Sequence, residues 1–278
     1  MTASLRSVDE KRAAFRQLHA HGCFVLPNPW DVGSARLLQH LGFSALASSS
    51  SALAWTGGRP DYAMELADVL AHLERLCAAV DLPVNADFES GFARAPEAVA
   101  ANVGRAVATG VAGLSIEDRD SERPSELYEL PLAIERIRAA RAEIDRQGAD
   151  VVLVARTEGL LRDPRAVAPA VDRLVAFAAA GADCLYAPGV RAKDDIAAMV
   201  RAVAPRPVNV LMSGPGLGLA ELAALGVRRV SVGGALARVA WAAVTAAATE
   251  MRGGSFAGLA AGMPGATLNE TFAAFTSR

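Results

Sequence analysis

The sequence predicts an α/β fold, a (β/α)8 barrel with extra C-terminal helices. Three observations predict it: eight short apolar runs, amphipathic helical patterns between them, and polar residues gathered where the runs stop. Runs that are apolar on both faces belong to a parallel sheet covered by helices. Eight such units in 278 residues suit a TIM-type barrel. An open doubly wound sheet is the alternative, weakened because the first turn has no GxGxxG.

The elements follow in order. The stretch MTASLRSVDEKRAAFRQL is charged and helix-like and has no signal-peptide core. CFVLP (23–27) reads as the first strand and DVGSARLLQHLG as its helix; ALASS (45–49) is the second, followed by MELADVLAHLERLCAAV. PVNAD (83–87) precedes PEAVAANVGRAVATG, and GLSIE (113–117) precedes LPLAIERIRAARAEID. VVLVAR (151–156) leads into DPRAVAPAVDRLVAFAAAG, and CLYAP (184–188) into KDDIAAMVRAVA. VNVLM (208–212) leads into GLAELAALG, and RVSVG (229–233) closes the set. Several helices end in Gly just before the next strand, a helix-stop signal. ALARVAWAAVTAAATEM then reads as a helix, and GMPGATLNETFAAF as a turn and a last helix. The chain therefore reads as one domain over 1–278. Its helices from about 235 to 278 are expected to pack on a neighbouring subunit, since apolar helices beyond a complete barrel seek a surface.

Composition narrows the function. The chain is 52% hydrophobic and 21% charged with net charge −2, so no basic field for nucleic acid or an anionic membrane is expected. Residues 37–58 lack formal charge, but Gln39, five Ser, Thr56 and three Gly mark a buried α/β segment rather than a membrane span. Cys23, Cys77 and Cys184 lie far apart and fit neither zinc spacing nor a disulfide framework, which favours the cytoplasm.

In a barrel, chemistry sits at the C-terminal ends of the strands. The first run ends in Asn28, Pro29, Trp30 and Asp31, and the second in Ser48–Ser51. The third ends in Asn85 and Asp87 with Glu89 just beyond, and the fourth in Glu117 and Asp118. The fifth ends in Arg156, Thr157 and Glu158, and the sixth blandly in Tyr186 and Pro188. The seventh carries Asn209 and stops near Ser213; the eighth ends in Ser231, Gly233 and Gly234. Alternate strand residues share a face, so Asn85, Asp87 and Glu89 are expected to point the same way. Each group also has a structural reading. Asp118 can cap a helix, Arg156 can pair with Glu117 or Glu158, the serine run can be a polar turn, and Cys184 a small core residue. Convergence weighs against these readings, because Asp87, Glu117 and Arg156 come from three consecutive strand ends. His19, His21, His40 and His72 all fall away from this rim, which argues against a histidine triad or zinc site.

Oxygen ligands without His or Cys suit a hard cation, Mg2+ or Mn2+. An arginine supplies a bidentate carboxylate clamp. A metal on a 2-oxo acid polarises its carbonyl and stabilises a developing enolate.

Together, LPNPWDVGSARLLQHLGFSALASSSSALAWTGGRPD (26–61), PVNADFESGF, GVAGLSIEDR, VVLVARTEGLL and the last two strands resemble the isocitrate lyase / phosphoenolpyruvate mutase superfamily over nearly the whole length. The resemblance implies a (β/α)8 barrel, Mg2+, and small 2-oxo or 2-hydroxy carboxylic acids. It also implies a homotetramer whose last helices exchange between subunits. Residue by residue, it places Ser48, Ser49 and Ser50 at the substrate's acid group and Arg156 at its oxo-acid end, with Asn209 also expected at the substrate. It assigns the metal shell to Asp87, Asn85, Asp61 and Glu117; the sequence itself offers Glu89 as a substitute for the charge that Asn85 lacks. Catalysis is expected from Arg156, Glu117 and Ser48.

Two departures stand out. The metal pair reads Asn-x-Asp where many members have Asp-x-Asp. The segment DRDSERPSELYELP lacks the Lys-(Lys/Arg)-Cys-Gly-His of the thiol-dependent lyases; Arg119 and Arg123 remain there to meet an anion. Isocitrate and methylisocitrate cleavage by the usual route is thereby disfavoured. The expected activity is Mg2+-dependent C–C cleavage of an oxaloacetate-like acid. Phosphonopyruvate-type chemistry, a degenerate keto-acid-binding barrel, and a sugar-phosphate enzyme using GPGLGL and VGG are the competitors.

Overall fold

The structure is a computed structural model that describes residues 6–275. The ends of the predicted N-terminal stretch and of the C-terminal segment lie outside the described residues. The strands are β1 (Phe24–Leu26), β2 (Leu46–Ala47), β3 (Val84–Asp87), β4 (Gly113–Glu117), β5 (Val152–Arg156), β6 (Cys184–Tyr186), β7 (Val208–Leu211) and β8 (Arg229–Ser231). All pair in parallel, in the order β1-β8-β7-β6-β5-β4-β3-β2. The Ala47 N–H donates to the Pro27 carbonyl at 3.0 Å across the remaining seam. The molecule is thus a nearly closed (β/α)8 barrel.

Helices α1 (Val8–Ala20), α2 (Val32–His40), α3 (Ser50–Thr56), α4 (Leu66–Ala79), α5 (Pro96–Ala108) and α6 (Leu130–Arg146) come first. They are followed by α7 (Gly159–Arg162), α8 (Val167–Ala179), α9 (Lys193–Val203), α10 (Leu219–Ala224), α11 (Ala235–Arg252) and α12 (Gly265–Ala273). Their ends follow local chemistry. Ser7 and Glu10 form a reciprocal capping box on α1, Asp31 caps α2 through Ser34, and Pro96 opens α5. Gly110 (φ 91°) and Gly181 (φ 103°) stop α5 and α8 in the left-handed region that other residues enter at a cost.

Every predicted run contains a strand, several of them shorter than the run. The serine run differs most. Ser49 caps α3 by accepting from the Ala52 N–H at 3.3 Å, so the run opens a helix instead of extending a strand.

Two packed regions result. The larger lies between sheet and helices. The smaller fills the barrel, where Phe15 of α1 packs with Leu26, Ala45, Val152 and Cys184. Helix α1 closes the N-terminal end. Lys11 Nζ donates to the Cys77 and Val80 carbonyls, and Arg12 to those of Val107 and Val111, so two buried cations cap the ends of α4 and α5. With that end sealed, the opposite rim is left for chemistry.

Candidate active site

Three strand ends converge on Arg156. Register sets Glu117 of β4 directly beside it on β5. Its Nε donates to Glu158 Oε1 at 2.6 Å and lies 3.4 Å from Glu117 Oε2; its Nη1 lies 3.3 Å from Asp87 Oδ1. Burial works against the guanidinium charge, but Glu158, Glu117 and Asp87 outweigh it and hold Arg156 firmly protonated. The Tyr186 ring lies 5.3 Å from its Cζ. The bland end of the sixth run thus lies against the guanidinium.

Asp87 is fixed on its other side by the serine run. Its backbone N–H donates to Ser48 Oγ at 2.8 Å, and its Oδ2 accepts from the Ser50 N–H at 2.9 Å. Asn28 ties the rim shut, donating to the Ser48 carbonyl and accepting from the Val232 and Gly233 N–H groups.

Asn85, Asp87 and Glu89 do not form one row, contrary to expectation. The strand ends at Asp87, and Glu89 adopts φ 47°, the left-handed region. Arg136, fully buried and stacked 4.0 Å from the Tyr128 ring centroid, donates to the Ser90, Ala93 and Arg94 carbonyls. Those bonds, with Glu117 N–H donating to the Glu89 carbonyl, hold the turn. Strained backbone of this kind persists where the surroundings over-determine it.

Asn85 lies one layer deeper. Its Oδ1 accepts from Arg229 Nη1 at 3.1 Å, and its Nδ2 donates to the Ala86 carbonyl. Asn209 joins that layer, accepting from Arg229 Nε at 3.0 Å and donating to Ser231 Oγ at 2.9 Å. The structure therefore groups Asn85 and Asn209 with Arg229 and not with the acids. Asp61 lies on the loop after α3, where its Oδ1 accepts from the Tyr62 N–H.

The acids are crowded. Burial raises the Glu117 pKa well above the carboxylate range, with Glu158 and Asp87 adding to the effect and Arg156 opposing it. Burial, then Asp87 and Asp61, push Glu89 up to about 8. Partial burial and Asp87 also raise Asp61. Glu117 Oε1 and Glu89 Oε1 are buried without a hydrogen-bond partner. Among the described residues no three His, Cys, Asp or Glu side chains converge to hold a metal by themselves. Mg2+ needs no such cage, because it binds through one or two carboxylates, waters and substrate oxygens. Unpartnered acidic oxygens around Asp87 fit that demand.

Other groups near the site gave little sequence signal. Tyr62 sits at φ 64°, near Glu117 and Glu158, with Arg119 stacked 3.7 Å from its ring centroid. An aromatic residue at positive φ cannot be foreseen from RPDYAM. Arg123 is committed to Asp120 and Glu126. Asp118 accepts from the backbone N–H of Glu158, the residue that precedes α7, at 2.9 Å and pairs with Arg173 of α8 at 3.2 Å. Cys184 is a buried core residue, as its position suggests.

Known proteins share this architecture. A candidate lyase/mutase from Burkholderia cenocepacia superposes with TM-score 0.92 at 46% identity, over 96% of this chain and 97% of that one. Oxaloacetate acetylhydrolase in complex with the product oxalate superposes with TM-score 0.83 at 28% identity, over 95% and 93%. Oxaloacetate decarboxylase from Paraburkholderia xenovorans is 31% identical over 79% of this chain and 74% of its own. The model of the phosphoenolpyruvate phosphomutase family matches residues 15–252. With that match over most of the barrel, the chain belongs to the phosphoenolpyruvate phosphomutase family, within the phosphoenolpyruvate mutase / isocitrate lyase superfamily.

Proposed function

We propose that this protein is a divalent-metal-dependent lyase that cleaves a C–C bond in a small 2-oxo or 2-hydroxy dicarboxylic acid resembling oxaloacetate. The observation that carries the reading is the convergence of Asp87, Glu117 and Arg156 from consecutive strand ends, beside acidic oxygens that lack partners. The oxaloacetate decarboxylase and acetylhydrolase relatives support the substrate class.

Asp87 would hold the metal, preferably Mg2+ and alternatively Mn2+, with Glu117, Asp61 and Glu89 ordering its water shell and Asn85 a neutral support from below. A bound divalent cation would polarise the 2-oxo carbonyl. The chain's own residues supply the rest. Arg156 keeps its short Nε contact to Glu158 and offers Nη1, whose contact with Asp87 is the longer one, to the substrate's oxo-acid end. The Ser48 hydroxyl fixes the Asp87 backbone, and Ser49 and Ser50 present the start of α3 to the acid group. Asn209 acts through Arg229 and Ser231 at the back of the cavity. Decarboxylation or retro-aldol cleavage then leaves an enolate beside fixed positive charge. Neither route needs the thiol acid absent from 118–131.

Phosphorus–carbon chemistry on a phosphonopyruvate-like acid is a second reading, favoured by the family model itself. A panel of oxaloacetate, 2-oxoglutarate, pyruvate, phosphonopyruvate and 2-methylisocitrate with Mg2+, followed by NMR, separates the two. The first reading expects products from oxaloacetate, and turnover of phosphonopyruvate alone would replace it. Binding of oxo acids without product would make the chain a degenerate keto-acid binder.

The assembly is proposed to be a cytoplasmic homotetramer formed through residues from about 235 onward. Val239, Trp241 and Val244 of α11 are exposed, and a groove of about 820 Å3 lined by Trp55, Val239 and Trp241 runs beside them. Apolar surface of this kind marks an interaction face.

A further inference from the structure

Arg229 is the first residue of β8 and only 3% exposed. It lines the same cavity as Ser48, Asp87, Arg156, Tyr186 and Ser231. Beneath it lies the Phe15 ring, 6.0 Å from its Cζ. Its recorded acceptors are two neutral amide oxygens, Asn209 Oδ1 at 3.0 Å and Asn85 Oδ1 at 3.1 Å. Among the described residues it forms no ion pair with a carboxylate; Asp87 acts on it only from a distance. Arg156 differs, since it faces three carboxylates within 3.4 Å.

A buried cation without a counter-charge is costly, and an apolar residue of similar volume would fill the barrel at lower cost. Arg136 and Lys11 are also buried, but backbone carbonyls hold them within the scaffold; Arg229 differs in lining the cavity, where a charge can reach it from outside. Asn85 sharpens the point. An Asp at this position, as the Asp-x-Asp pattern has it, would stand within ion-pair reach of Arg229 and neutralise it. The amide orients the guanidinium and leaves its charge unspent.

We infer that Arg229 is a specificity-determining residue: the floor of the cavity, which receives the second carboxylate of a dicarboxylic substrate while Arg156 takes the oxo-acid end. Asn85 serves this role by holding Arg229 without neutralising it. The inference rests on the proposed oxo- or hydroxy-acid site and adds the group that reads the distal end. A charge-assisted, two-point contact in a site closed from below favours a carboxylate over a methyl group at that position.

The test uses two stable acids that differ only there, malate and 2-hydroxybutyrate, titrated calorimetrically into the full chain with Mg2+. The parent should bind malate at least ~10-fold more tightly, the size expected of a hydrogen bond to a charged group. Arg229→Gln should bring that ratio to within about threefold of unity while leaving 2-hydroxybutyrate affinity unchanged. Asn85→Asp supplies a counter-charge without removing the arginine and should narrow the ratio as well. Because both acids share the metal-facing end, a general change at the rim cancels in the ratio. If Arg229→Gln does not fold, Asn85→Asp decides. A full malate preference in either folded variant overturns the role of Arg229. A parent that binds neither acid instead overturns the hydroxy-acid site and the inference with it.

Discussion

At the residue scale, the proposed function turns on a few charges held at low dielectric. Arg156 is the centre of the proposed site, and its geometry, not its charge alone, would do the recognition. Arg156→Lys keeps the charge but loses the planar fork. It should lower kcat/KM about 10- to 100-fold with little change in the circular dichroism spectrum; steady-state kinetics checks this. Glu89 gives a second prediction. Its folded pKa of about 8 stands above its ordinary 4.5, so its contribution to stability is complete below about 4.5 and is lost as pH rises through 8. In metal-free protein, Glu89→Gln should therefore melt close to the parent near pH 4.5 and above it near pH 9. A gap that does not grow with pH would show that Glu89 is not held protonated. Asp87, Glu117 and Arg156 were legible in the sequence because position at a strand end is itself the signal. Tyr62 and Arg229 were not. Tyr62 depends on a left-handed backbone, and the meaning of Arg229 depends on which layer of the barrel it occupies.

At the scale of elements, the barrel demands close approach at particular points. Gly113 starts β4, and a Cβ there would stand 2.6 Å from the Phe15 ring, 2.7 Å from Asn85 Oδ1 and 3.1 Å from the Val152 carbonyl. Gly113→Ala should destabilise the fold by about 1–3 kcal/mol through overpacking, read as a lower denaturation midpoint with an unchanged slope. It should also disturb Asn85, linking barrel packing to the amide layer under the site. Helix and strand types were legible because apolar runs and helical periodicity alternate cleanly and Gly marks the stops. The serine run was not, because four small polar residues fit a strand end, a turn or a helix start equally well. The Ser49 hydroxyl capping the Ala52 N–H and the Asp87 carboxylate bonded to the Ser50 N–H show why a helix starts there. The turn after β3 was hidden for a similar reason. Strand periodicity predicts one row from Asn85 to Glu89, whereas Arg136, more than forty residues away, fixes the break.

At the scale of the molecule, one end of the barrel is sealed by α1 and the other is open to chemistry. The proposed assembly rests on the exposed apolar side of α11. Val239→Glu with Val244→Glu should shift the sedimenting species to a smaller size while the monomer fold persists; an unchanged sedimentation coefficient would remove α11 from the interface. No helix among the described residues is long and apolar enough to cross a membrane. The central claim is that the rim carries metal-dependent C–C cleavage. It is tested most directly by following oxaloacetate by NMR with Mg2+, comparing the parent with Asp87→Ala at equal concentration, so that metal-catalysed background decay is common to both. The account predicts that the parent forms pyruvate and carbon dioxide well above that background and that Asp87→Ala does not. Equal rates in the two proteins would contradict it.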